Sequence, residues 1–176
     1  MPLLITTSHK PSPRTRTFIK DLASMLPFAF KTNRGKKTLE DLGLEAYRRG
    51  ARYIFVVGEK RGNPSLIRIY RLELAEKPHV KHFASIKIAG IKLLRENPEG
   101  SRVYNPESIC VDYENCRSDQ CYMLANIFIE IFHANIVKEK PDIKLVLEEI
   151  NNITIIKPLN RLNKVCGPII KVSGVK

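Results

Sequence analysis

Two short stretches of this chain concentrate the groups that bind anions. The first is Thr6-Thr7-Ser8-His9-Lys10-Pro11-Ser12-Pro13-Arg14-Thr15-Arg16, where hydroxyls at Thr7, Ser8 and Ser12 alternate with Lys10, Arg14 and Arg16. The second is Asn33-Arg34-Gly35-Lys36-Lys37-Thr38, in which three cations flank a glycine that permits a positive φ or close backbone approach. Guanidinium forks, ammonium groups and hydroxyls at this density suit phosphate oxygens. Before Glu40, eight basic side chains stand against one carboxylate, Asp21. A third basic turn, Lys60-Arg61-Gly62-Asn63-Pro64, reads equally well as an extension of that surface or as a bare hairpin turn. It is not a phosphate-binding P-loop, because the GxxxxGK[ST] spacing is absent.

The elements that must position these groups follow from periodicity. Leu3 to Thr7 has β character. Ser12 before Pro13 is the pairing of an N-cap with a first helical residue, and Phe18, Ile19, Leu22, Met25 and Leu26 continue at helical spacing until Pro27 stops the run. Phe28 to Lys31 reads as a short strand. A second helix begins at Thr38, with Asp41 as the acidic member of a capping box and Gly50 suited to the C′ position. Tyr53 to Val57 is a strand covered on both faces, Leu66 to Leu74 completes a hairpin with it, and Val80 to Ile91 is a further β segment. Asn97-Pro98-Glu99-Gly100 marks a break. Beyond it, Ser108 to Tyr113 reads as strand and Asp119 to His133 as helix. Ile143 to Leu147 is either, and Ile153 to Ile156 is a short apolar run. Strand, turn and helix thus occur twice, at Leu3–Leu26 and Ile109–Phe132, a weak sign of internal duplication. Both basic stretches are helix starts, where backbone N–H groups and the macrodipole favour anions.

The chain has 176 residues and a net charge of +12, with 43% hydrophobic residues, so it can bury a core. The charge is uneven: residues 1–100 carry 20 Lys+Arg and 9 Asp+Glu, residues 101–176 carry 10 and 9. Solubility charge would spread over both halves, and a thermophile-like enrichment would bring matching acids, so the asymmetry points to a polyanion-binding surface on the first half. No segment reads as a signal or a membrane span. The four cysteines form no CxxC pair and fit structural roles in a reducing compartment. His79 and His82 lack acidic or thiol partners at ligand spacing, no Ser/His/Asp order or paired carboxylates are visible, and neither a metal, a cofactor nor an enzymatic activity is expected. Aromatic residues fall mostly at core positions, which favours recognition of nucleic-acid backbone over reading of bases.

Thr6-Thr7-Ser8, Pro11-Ser12, Arg14-Thr15-Arg16, Lys20-Asp21-Leu22, Asn33-Arg34-Gly35-Lys36 and Gly62-Asn63-Pro64 follow one another in an order and with gaps that resemble the Brix domain in its short archaeal form. The likeness is strongest in the first half and looser over Ser108 to Phe132; within the family it is nearest the small-subunit processome branch. It implies a single Brix domain over residues 1–176, with a basic half (1–96) and a near-neutral half (101–176). The implied fold is α/β: two tightly packed α/β halves with mixed sheets, similar to the anticodon-binding domain of class IIa aminoacyl-tRNA synthetases. The implied role is a non-enzymatic ribosome biogenesis factor that binds pre-rRNA, in the cytoplasm, or the nucleolus were the source eukaryotic. Other assembly factors or ribosomal proteins are further expected partners. Arg14, Arg16, Arg34, Lys36 and Lys37 are the first candidates for phosphate contacts, with Ser8, Lys10, Asn33 and Arg61 next. The alternative is a protein-interaction module with incidental RNA contact.

Overall fold

The computed structural model describes residues 2–176. Leu3–Thr7 (β1) is buried throughout and leads into helix α1, Pro13–Met25. Ser12 caps α1 by accepting the Thr15 N–H, and Phe18, Ile19, Leu22 and Met25 face the core. Burial of a side chain such as Phe18 contributes about 2–3 kcal/mol. A short strand, Ala29–Lys31 (β2), precedes helix α2, Leu39–Arg48, whose Thr38–Asp41 capping box forms as the sequence indicates. Gly50 then takes a φ of 73° just past the helix end.

Tyr53–Lys60 (β3) is continuously buried from Ile54 to Val57 because both faces are covered. Phe55 and Val57 join the apolar cluster that holds α1, while Ile54 and Val56 join a smaller one with Leu42 and Ala46 of α2. β3 turns through Arg61-Gly62, both at positive φ, into Asn63–Leu74 (β4). Pro78–Lys92 (β5) follows. The second half supplies Ile109–Asp112 (β6), helix α3 at Asp119–Ile131, Ile143–Ile150 (β7), Ile153–Leu159 (β8) and Ile169–Val175 (β9). The segment beginning at Ile143, open between strand and helix in sequence, is strand. Among the described residues no helix is long and apolar enough to cross a membrane.

The expected pair of halves with sheets of their own, on the pattern of the synthetase anticodon-binding domain, does not form. Among the described residues a single mixed sheet of nine strands, ordered β2-β1-β3-β4-β5-β9-β8-β7-β6, joins both halves and curls into a half-barrel with the three helices. The junction is an antiparallel ladder between β5 and β9, from Ile86↔Val175 to Lys92↔Ile169. Pairing these two strands removes two exposed edges that separate sheets would leave open. It also merges the apolar faces, so α1 and α3 share one cluster with strands from both halves.

Within that sheet the strand order reads the same from either end of β1-β3-β4-β5-β9-β8-β7-β6. β1 and β3 pair in parallel as β6 and β7 do, and each pair continues as an antiparallel meander to the junction. In this correspondence α1 answers α3, whereas β2 and α2 have no counterpart. The duplicated strand–helix unit suggested by sequence therefore has a topological basis.

Candidate nucleic-acid interface

The ends of β1, β2 and β3 lie side by side, since both β2 and β3 run parallel to β1. Their three following loops carry the basic motifs, and named bonds fasten them together. The Thr6 hydroxyl donates to Thr32 O at 2.8 Å, Thr32 N–H to Ile5 O at 3.0 Å, and Ser8 N–H to Val57 O at 2.9 Å. His9 Nδ1 lies 2.9 Å from Gly35 O; a carbonyl can only accept, so the ring proton sits on Nδ1. This contact joins the two helix-start loops directly. The β3–β4 turn is tied to the first of them by the Ser12 hydroxyl, which donates to Gly62 O at 2.7 Å.

Both helix N-termini are already occupied by the protein's own groups. Glu59, at the end of β3, accepts from Ser12 N–H at 3.0 Å and from the Thr15 hydroxyl at 2.6 Å. The Thr15 hydroxyl and the Ser12 amide, in that order, hold the Glu59 carboxyl below the ordinary glutamate range. At α2, Asp41 accepts from Thr38 N–H at 2.9 Å, and that bond to the charged form lowers its pKa. The helix dipoles are thus answered by internal carboxylates, and a ligand must be met by side chains instead of by open helix ends.

Among the nine residues singled out from sequence, the seven cations divide into two groups. Arg14 pairs with Glu96 at 2.7 Å and donates to Ile91 O; this bond is the main reason the Glu96 carboxyl is held low. Arg34 donates from Nε to Lys37 O at 2.7 Å and from Nη1 to Thr7 O at 3.2 Å. Lys37 bonds the Thr32 hydroxyl and pairs with Glu45 at 2.9 Å. These three cations brace the loops. By contrast, Lys10, Arg16, Lys36 and Arg61 are exposed and make no side-chain hydrogen bond or ion pair among the described residues. Asn33 is exposed beside them, and Ser8 is half-buried and held through its backbone. Lys10 and Arg61 sit at φ 52° and 53°, so the chain places them on tight turns.

Some organising residues carry no local signal in sequence. Glu59 is 44 residues from Thr15. Asp21, buried on α1, binds Arg102 at 2.7 Å across 81 residues and accepts Leu94 N–H. Glu149 repeats the role of Glu59 in the second half, accepting from Arg117 N–H, Ser118 N–H and the Ser118 hydroxyl at the start of α3. Cys116 and Cys121, expected from sequence to fill structural roles in a reducing compartment, form a disulfide at the same turn, while Cys110 and Cys166 are free. Among the described residues no cluster of three or more His, Cys, Asp or Glu could hold a metal ion.

Comparison with known proteins adds a family to this geometry. The chain is 34% identical over 170 residues to a probable Brix domain-containing ribosomal biogenesis protein of Aeropyrum pernix, covering 96% of this chain and 93% of that protein. A protein of the same description from Thermococcus kodakarensis is 37% identical over 94 residues, which span 53% of this chain and 44% of the relative. Among solved structures, a probable ribosomal biogenesis protein of Aeropyrum pernix superposes with a TM-score of 0.83 at 32% identity, covering 97% of this chain and 94% of its own. An archaeal Imp4-like protein, Mil, superposes at 0.67 with 19% identity over 98% of each chain, a likeness of fold alone. No protein-family model matches the chain.

Proposed function

The chain belongs to the Brix-domain family of ribosomal biogenesis proteins, and from that premise we propose that it acts by gripping the phosphate backbone of pre-ribosomal RNA. The grip is the rim formed by the loops after β1, β2 and β3. The observation that carries this reading is the division of labour among the cations. Arg14, Arg34 and Lys37 stiffen the rim, which leaves Lys10, Arg16, Lys36 and Arg61 exposed and unpaired around it. Positively charged groups held by a rigid frame and free of internal partners suit sequence-independent contacts to phosphates, which position a nucleic acid without reading its bases. On this reading the contribution to ribosome assembly is binding and presentation of RNA, with neighbouring assembly factors or ribosomal proteins as further partners.

The test replaces free cations only. Lys10→Asn, Lys36→Gln and Arg61→Asn should leave the fold intact. Asparagine tolerates the positive φ at two of these sites, and the third substitution places asparagine directly before Gly62, a favoured pair for a hairpin turn. Binding of structured rRNA fragments should weaken, and the slope of log affinity against log salt should flatten by roughly 2–3 for three lost phosphate contacts. An unchanged slope and affinity would remove the rim from the RNA surface. Retention of a protein partner after nuclease treatment, with no RNA affinity in the parent, would favour a protein-interaction module.

A further inference from the structure

The exposed side of α1 leads away from the rim to a second feature. Arg16 and Lys20 stand four residues apart on that side, both exposed. They lead toward a cavity of about 590 Å³ between the end of α1, β2 and the segment following Arg102. Phe28 and Tyr104 line it and are the unusual members, with 48% and 78% of their surfaces exposed. Lys20, Lys31 and Arg102 supply cations at its wall, and Asn105 adds an amide; Glu107 is the one carboxylate among the lining residues.

Phe28 is there at a conformational cost. Ala29 N–H donates to Leu26 O, closing a turn in which Pro27 is second and Phe28 third, at φ 55°. That third position favours glycine or asparagine, and a bulky residue in the left-handed region is an outlier. Neither the turn nor the core explains the ring, since half of it is bare.

The geometry points to a stacking pocket for an unpaired RNA base, in which Phe28 and Tyr104 offer ring faces while Lys20 and Lys31 meet the flanking phosphates. Exposed aromatics interleaved with cations are how single-stranded nucleic acid is held, each base stacking on a π-face as the backbone follows the charge. The pocket is therefore the far end of a track that starts at Lys10, Lys36 and Arg61 and passes Arg16 and Lys20 along α1. Thirteen helical residues set the span at about 20 Å. An aromatic pocket of this kind could also anchor a protein, but the exposed lysines that line it, Lys20 and Lys31, favour a polyanion. This inference rests on the RNA-binding reading above.

The probe is single-stranded RNA carrying 2-aminopurine, whose emission is quenched on stacking, compared with the same strand abasic at that position. Parent protein should quench the fluorophore and bind the base-containing strand more tightly than the abasic one. Phe28→Asn and Tyr104→Ala together should abolish the quenching and lower affinity about five- to a hundredfold, leaving the salt slope nearly unchanged. Phe28→Asn suits its turn, so thermal stability should hold or rise, which separates lost stacking from lost folding. If the parent binds RNA with the expected salt slope but the double variant binds and quenches equally well, the stacking pocket is refuted and the rim stands. If the parent binds no RNA, both readings fall. If the double variant retains RNA binding but loses a protein partner, the rings form a protein anchor and the proposal is overturned.

Discussion

Replacing Glu59 with glutamine should move stability and RNA affinity in opposite directions. The Glu59 carboxylate takes two hydrogen bonds at the start of α1, from the Ser12 amide and the Thr15 hydroxyl, and so pins the β3–β4 hairpin to the helix. Bonds to an ionised group contribute about 1.5–3 kcal/mol each when well shielded; on a half-buried rim, with the amide able to keep part of one bond, the loss should be about 1–2 kcal/mol. In urea, followed by circular dichroism because the chain has no tryptophan, that is a midpoint lowered by roughly 0.5–1 M. The pKa of Glu59 is depressed in the folded protein, so its contribution is complete above the unfolded glutamate value of about 4.3 and disappears as pH falls through the folded value. The gap between parent and variant should therefore be full at neutral pH and close in the acid limb. Meanwhile the variant loses a negative charge from the rim. At a separation of ~6 Å in water-like surroundings, that charge repels a phosphate by about 0.7 kcal/mol, so RNA affinity should rise about threefold. Equal urea midpoints at neutral pH would refute the anchoring role. A loss of RNA affinity in a folded variant would refute the placement of phosphate beside the start of α1.

Other perturbations test the frame. Arg102→Ala leaves the buried Asp21 carboxylate without its ion pair and should cost about 2–3 kcal/mol, whereas Asp21→Asn, which removes the charge itself, should cost less; urea titration of both variants gives the order. The Cys116–Cys121 disulfide ties the loop before α3 to the first turn of the helix, and the loop-entropy relation assigns it about 2 kcal/mol, so thermal unfolding with and without reductant should differ in the parent and coincide in Cys116→Ser/Cys121→Ser. Gly43 lies where α2 meets the sheet, and a Cβ there would come within 2.6 Å of the Val80 side chain. Gly43→Ala should destabilise by about 1 kcal/mol despite alanine's better helix propensity, a sign readable by calorimetry.

Local signals in the sequence specify most of the elements. Ser12-Pro13, the Thr38/Asp41 box and the Arg61-Gly62 turn each act within a few residues, and each appears where its chemistry requires. What local patterns do not carry is long-range. The β5–β9 ladder that fuses the halves joins segments more than seventy residues apart, and nothing near either strand specifies that pairing. β9 itself gives a poor signal although Ile170 and Val172 alternate with Lys171 and Ser173, because the stretch is short, follows Gly167-Pro168 and includes Gly174. The candidate rim is legible as composition but not as assignment. Charge counting treats Arg34 and Lys36 alike, while the structure commits one to Thr7 O and Lys37 O and leaves the other free.

The correspondence between the halves sharpens what the free cations mean. Both halves start a helix from a parallel strand, both cap it with serine, and both pin the cap with a glutamate from the neighbouring strand, Glu59 in one and Glu149 in the other. The frame thus works equally well with either set of loops. In the second half those loops carry Tyr113, Glu114 and Asn115 before the helix, one cation, Arg117, whose guanidinium donates to Glu114 O and Cys116 O, and Asn151-Asn152 at the hairpin, with a disulfide closing the first. In the first half the equivalent places hold Lys10 and Arg61, joined by the β2–α2 insertion with Lys36. Like charges crowded on one rim repel, at a cost to folding that the second half avoids. Arg14, Arg34 and Lys37 offset that cost through their bonds, but Lys10, Arg16, Lys36 and Arg61 offset none of it. Cations that the fold can do without, gathered on the one half that has an inserted strand and helix to hold them, are best explained by a partner that supplies the missing negative charge.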